Sequence, residues 1–208
     1  MTSFTAPELK ENDMPETLLD PSRTALLVMD YQHMVLGSTP GSDELLANTR
    51  SAIETVREVG GRIGYVRLGL TDDDYDAIPQ TNLALSAIGR NRFVHDEESG
   101  TDIHDHVAPA DEDIVVRKTR VGAFSTTDLD ARLRGQGVDT IVLAGLHTSG
   151  VILSTVRDAA DRDYRVVLLA DCIADPDTEV HDLLMTKLLP RQAHVSESAE
   201  LRSLFPSA

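Results

Sequence analysis

The sequence predicts a doubly wound α/β fold, a single parallel sheet with helices on both faces. Three observations carry that expectation. Short apolar runs rich in β-branched residues alternate with helical patterns along most of the chain. Several of these runs are apolar at consecutive positions, as strands covered on both faces must be. The joints between runs and helical segments are short, and a parallel strand pair needs a helix to carry the chain back. At 208 residues, 41% of them hydrophobic, the chain is long enough for one domain with a sizeable core, and it shows no internal repeat.

Residues 1–20 (MTSFTAPELKENDMPETLLD) are acidic and broken by Pro7 and Pro15, the reverse of the basic and then apolar order of a signal peptide. They read as an N-terminal arm, either flexible or strapped onto a partner subunit, ahead of one domain over 21–208. The first strand is expected over 24–30 (TALLVMD). A helix over 43–59 follows, with Leu46, Ile53 and Val56 on one face and Gly60 and Gly61 as its stop. The second strand is 62–68 (RIGYVRL) and the third 113–118 (DIVVRK). Between them, residues 69–109 form a long segment rich in Asp, Asn, Pro and His, with one helical stretch over 82–88. A loop of that length in a compact domain serves as a lid, a binding loop or an interface. Ser125 and Thr126 cap a helix over 127–134; residues 139–145 (DTIVLAG) and 165–170 (RVVLLA) are strands, and 149–163 and 177–188 are helices.

Charge and cysteine content exclude several functions. With 19 Lys and Arg against 35 Asp and Glu, the formal charge is −16. Nucleic acid and anionic membrane surfaces both require clustered cations, so neither is an expected partner. No apolar run approaches the roughly 20 residues that cross a bilayer. The single thiol, Cys172, can form neither an intramolecular disulfide nor a thiolate zinc cage, and a cytoplasmic location is expected.

Open α/β sheets bind ligands beyond the carboxyl ends of their strands. At those ends stand Asp30, Lys118 and the turn over 145–150 (GLHTSG), which opens a helix and offers N–H groups to a developing anion. Asp30 and Lys118 are expected to pair, the carboxylate staying ionised with a lowered pKa unless the pocket is dry. Arg67 and Arg120 are candidate carboxylate clamps, their alternative being ion pairs on an acidic surface. Gln32 could orient a ligand or a water. The pattern His104-Asp105-His106 reads as a short surface segment, and neither a metal nor another cofactor is expected.

These pieces carry a resemblance. Residues 25–32 (ALLVMDYQ), then 116–118 (VRK) and 123–125 (AFS), then 145–159 (GLHTSGVILSTVRDA), with 171–175 and His181 further on, are similar in order and spacing to the isochorismatase-like, or cysteine hydrolase, superfamily from about Arg23 to Phe205. The resemblance implies about six parallel strands in a Rossmann-like sheet. It also implies a non-proline cis peptide at Leu146–His147 and an Asp-Lys-Cys triad that attacks amide-like carbons. Asp30 and Lys118 fall on the first two triad positions, and Val151 falls on the third. Valine has no lone pair; among neighbouring candidates, Ser149 should point elsewhere, Ser154 lies nearly one turn inside the helix, and Cys172 follows another strand and suits a buried apolar position.

What the resemblance then implies is the family's other chemistry, isochorismatase-type hydrolysis of a vinyl ether, which needs no protein nucleophile. Asp30 would serve as acid, Lys118 as its charged partner, and the amides of His147 and Val151 as an oxyanion-type cradle. The His147 ring would either face the ligand or stand free in the turn, and Phe124 would supply an apolar wall. The substrate would be a small polar or anionic metabolite. A catalytically silent binder of a small molecule or partner protein remains the alternative. Family members assemble as dimers or larger particles, so a homo-oligomer (dimer or tetramer) is expected.

Overall fold

A computed structural model describes residues 18–207. Its elements run β1 (Thr24–Met29), α1 (His33–Leu36), α2 (Ser42–Glu58), β2 (Arg62–Leu68), α3 (Asp72–Asp76), α4 (Ser86–Asn91), β3 (Ile114–Lys118), α5 (Leu129–Gly135), β4 (Thr140–Leu146), α6 (Leu153–Asp161), β5 (Arg165–Ala174), α7 (Thr178–Leu183) and β6 (His194–Ser196). The six strands form one sheet in the order β3-β2-β1-β4-β5-β6, and every neighbouring pair is parallel. Because β1 pairs with both β2 and β4, the chain winds outward in two directions from β1. The carboxyl ends of β1 and β4 therefore flank the switch point at which such sheets hold ligands.

The unbroken apolar runs are explained by alternation into two cores. Ala25, Leu27 and Met29 of β1 face one layer with Ile114 and Val116 of β3, Leu129 and Leu133 of α5 and Val156 of α6. Leu26 and Val28 face the opposite layer with Leu46, Ile53 and Val56 of α2 and Val142 of β4. Each strand residue is thus buried whichever way its side chain points, and β1 shows no exposed position at all. No helix among the described residues is long and apolar enough to cross a membrane.

Several boundaries differ from expectation, for local reasons. The strand expected to end at 170 continues to Ala174, past a register shift opposite Leu143 and Gly145 of β4. β6 is three residues long, too short to leave an apolar pattern. The helix expected over 149–163 begins as a π-type turn, Thr148–Ile152, before α6. The one expected over 177–188 is α7 followed by a second π-type turn, Leu184–Leu188.

The 69–109 segment carries more structure than the single helical stretch suggests. The Thr71 hydroxyl and the Asp74 carboxylate form a capping box on α3, and α4 begins four residues after the expected start. Bridges of Leu70 to His95 and of Gln32 to Ile103 tie the segment down at both ends. Residues 1–17 of the expected N-terminal arm lie outside the described residues. Within 18–20, Leu19 is buried, and its N–H donates to the Leu204 carbonyl at 2.8 Å.

Candidate active site

The site begins where β1 ends. Asp30 adopts φ 59°, the left-handed region that Asp tolerates better than most residues, and this turns the chain out of the sheet. Its N–H donates to the Val66 carbonyl at 2.8 Å, which holds it against β2. One strand further out, β3 ends in Lys118, opposite Leu68 in the parallel register. The Lys118 ammonium lies 2.8 Å from Asp30 Oδ2 and donates to the Val121 carbonyl at 3.0 Å. Both residues are buried, and Asp30 Oδ1 has no hydrogen-bond partner among the described residues.

Burial is the largest influence on the Asp30 carboxyl. Loss of water pushes the Asp30 carboxyl above the ordinary carboxylate range, and the Lys118 ammonium and its hydrogen bond only partly oppose this. The lowered value expected from the ion pair alone is thereby reversed. A carboxyl shifted toward its protonated form, with one oxygen not engaged by Lys118, is suited to donate a proton.

The third component is the turn after β4. Leu146–His147 is a cis peptide, as the resemblance implied. Gly145 permits the close approach of β4 to β1, since a Cβ there would lie 3.3 Å from the Met29 carbonyl oxygen and 2.9 Å from Ile152 Cδ1. Asp175, just past β5, locks the start of the π-type turn by accepting from the Ser149 amide at 2.8 Å and the Ser149 hydroxyl at 2.7 Å. Against the penalty of its partial burial, these bonds and the Asp177 amide hold the Asp175 carboxyl below its usual value. The Thr148 hydroxyl lies 2.7 Å from His181 Nδ1 on α7. His147 is half-buried; loss of water lowers its pKa while Asp175 and Asp30 partly offset the shift, which keeps the imidazole neutral at pH 7.

Asp30, Lys118, His147, Val151, Arg120 and Gln32 line one cavity of about 410 Å3. Val151 is 2% exposed and lies where the resemblance places a thiol. The neighbouring hydroxyls of this turn and helix do not take its place: Ser149 is committed to Asp175, and Ser154 packs against Gly122, outside the lining, while the Ser38 hydroxyl across the cavity donates to the Val35 carbonyl at 3.0 Å. Cys172 is fully buried in the opposite core layer, its thiol pushed up to about 12 by burial and the adjacent Asp171, which is the reverse of an activated nucleophile.

Three expected ligand contacts are corrected. Gln32 lines the cavity, but both hydrogens of its amide nitrogen go to carbonyls, Leu68 at 2.7 Å and Thr101 at 2.6 Å. Its oxygen accepts from the Leu68 N–H at 2.9 Å, so the side chain stitches β2 to the 69–109 segment. Arg67 lies outside the lining and pairs with Asp96 at 2.8 Å, because strand alternation turns it toward the acidic segment beyond the sheet edge. Phe124 is core rather than wall: it is buried, stacks on Tyr164 at 5.8 Å between centroids, and does not reach the cavity. Arg120 does line the cavity. Its guanidinium donates to the Thr119 carbonyl at 2.7 Å and joins no ion pair among the described residues.

The apolar wall comes instead from Leu85, Ile88, Phe93 and Val94 in the long segment and from Met34 and Val35 of α1. Leu85 and Ile88 lie at helical spacing, but the neighbouring Leu83, Ala84 and Ala87 blur the pattern, so the sequence alone does not mark them as the wall. His104 and His106 stack in series with His33, with centroids 5.2 Å and 4.6 Å apart, away from the cavity. Among the described residues, no group of three or more His, Cys, Asp or Glu side chains is arranged to hold a metal ion.

Comparison with known proteins extends this picture. The sequence model of the isochorismatase domain matches residues 24–200. The uncharacterized isochorismatase family protein YecD of Escherichia coli O157:H7 is 30% identical over 88% of this chain and 96% of its own length. The phenazine biosynthesis protein PhzD of Pseudomonas fluorescens is likewise 30% identical, over 91% of each chain. Among solved structures, a cysteine hydrolase from Pseudomonas syringae pv. phaseolicola 1448A superposes with a TM-score of 0.81 over 92% of this chain and 98% of its own, at 23% identity, and so shares the fold.

Proposed function

The chain belongs to the isochorismatase family, and on that footing we propose that it is a hydrolase that works without a cysteine nucleophile, cleaving a vinyl ether of a small anionic metabolite. One observation carries the proposal: a buried Asp30 carboxyl, raised by loss of water and with Oδ1 unengaged, lines the same cavity as Val151, which cannot attack. Asp30 donates its proton to the terminal enol-ether carbon. The adjacent carbon becomes an oxocarbenium ion, water adds to it, and the hemiketal collapses to a ketone and an alcohol while the proton released by water restores Asp30. Lys118 anchors Asp30 through Oδ2 and leaves the other oxygen to the substrate. Arg120 holds a substrate carboxylate, the neutral His147 ring offers a polar contact, and the amides of His147 and Val151 serve as hydrogen-bond donors that orient the substrate. In this scheme the protein works in the cytoplasm as a homo-oligomer.

The proposal is tested by incubating the protein with isochorismate in D2O and following pyruvate release. The expected product carries a single deuterium in its methyl group, delivered by the exchanged Asp30 carboxyl. Absence of enzyme-dependent pyruvate would refute vinyl-ether hydrolysis of this substrate.

Val151 itself favours a second possibility, a silent relative that binds without turnover, because losing a nucleophile is the simplest route to one. Val151→Cys separates the two. A site shaped for acid catalysis gains no amide or urea hydrolysis from the new thiol, since burial shifts Asp30 toward its protonated form and away from the role of a base. An unarmed amidase site would acquire it.

A further inference from the structure

The charge and wall chemistry of the cavity specify its ligand more closely than vinyl-ether hydrolysis does. The geometry points to a substrate with one carboxylate and a compact apolar body, and this inference rests on the acid-hydrolase proposal only for the bond that is cleaved.

Cations are scarce here. Among the described residues lining the cavity, Lys118 and Arg120 are the only Lys or Arg. Lys118 is committed to Asp30 and to the Val121 carbonyl. The neighbouring guanidiniums are neutralised outside the lining, Arg67 by Asp96 and Arg117 by Asp74 at 2.6 Å. Of the two cations lining the cavity, Arg120 alone is left to meet an incoming anion, having one hydrogen bond to a carbonyl and no ion pair among the described residues. A first carboxylate is matched by its planar fork. A second would enter the cavity stripped of water with no cation to meet it, beside an acid already pushed up by burial.

The apolar side of the cavity has no use for polar substituents. Met34, Val35, Leu85, Ile88, Phe93 and Val94 present side chains without donors or acceptors. Phe93 is also 46% exposed, so its ring stands where the cavity meets solvent. An alkyl or alicyclic group fills such a wall with gain, whereas each ring hydroxyl or carboxylate would lose hydration against it. Within about 410 Å3, the fitting molecule is an enol ether of a cycloalkanol bearing its carboxylate on the enol carbon. Its hydrolysis balances as enol ether plus water giving pyruvate plus the cycloalkanol: the Asp30 proton goes to the methylene carbon, water oxygen bonds to the adjacent carbon, and the alkoxy group leaves with a proton.

Binding and turnover are measured separately. By calorimetry, cyclohexanecarboxylate is expected to bind the wild-type protein at least tenfold more tightly than cyclohexane-1,2-dicarboxylate, and Arg120→Ala to lose that binding at least tenfold. Equal or tighter binding of the dicarboxylate, no binding of either, or indifference to Arg120→Ala overturns the inference. In turnover, 2-(cyclohexyloxy)acrylate is expected to surpass isochorismate at least tenfold in kcat/KM. Preference for isochorismate would overturn the single-carboxylate inference and leave vinyl-ether hydrolysis standing. Selective binding of cyclohexanecarboxylate with no enol ether hydrolysed would do the opposite.

Discussion

Asp30→Asn is expected to lower vinyl-ether turnover by about 10²- to 10⁴-fold, the usual contribution of a positioned general acid. Asparagine keeps the shape of the side chain and can still accept from Lys118, so the substitution removes the transferable proton and little else. The buried ammonium of Lys118, 2% exposed, keeps a neutral acceptor in place of the carboxyl, and thermal unfolding checks that the fold is retained. Circular dichroism at the assay temperature identifies the folded fraction on which the rate is to be read. A folded variant with retained turnover would remove Asp30 from the chemistry.

Lys118→Met should move the pH profile rather than abolish activity. The ammonium is the chief group holding the Asp30 carboxyl down against burial, so removing it raises that carboxyl further. An acid catalyst must be protonated, and the falling limb of kcat/KM with rising pH should shift upward by about 1–3 pH units, the usual effect of one close opposite charge. If Asp30 were a base, as in a cysteine-dependent triad, the same substitution would extinguish activity near neutrality. Stability gives a second readout of the same sign. Because the folded value of Asp30 lies above the unfolded one, the folded state binds more protons between them. Its contribution is fully present below the unfolded carboxylate value and is lost as pH rises through the folded value, a window that Lys118→Met widens upward.

The residues that proved legible share a physical signature. Asp30 and Lys118 end apolar runs that could only be buried strands, and a charge at such an end has nowhere to go but the crevice beyond the sheet. The two-layer core was legible for the same reason, since consecutive apolar positions require cover on both faces. Arg67 and Arg120 were indistinguishable as sequence, each an arginine at or just past a strand end; Asp96, distant along the chain, decides between them. Gln32 is similar, because its three backbone partners come from Leu68 and Thr101. Phe124 was misplaced because an aromatic after a strand reads alike as cavity wall or core, and only Tyr164 beneath it settles which. The apolar wall escaped notice because α4 is six residues long, and a helix that short leaves too little periodicity to mark its inward side.

Cysteine-independent acid hydrolysis stands or falls on what the unaltered protein cleaves. Wild-type protein should be incubated at mildly acidic and neutral pH with isochorismate and 2-(cyclohexyloxy)acrylate, beside a panel of primary amides and ureas, with pyruvate and ammonia assayed together. Release of pyruvate from the enol ethers with no ammonia from the panel is the predicted result. Ammonia released from an amide or urea, or no pyruvate from either enol ether, would contradict it.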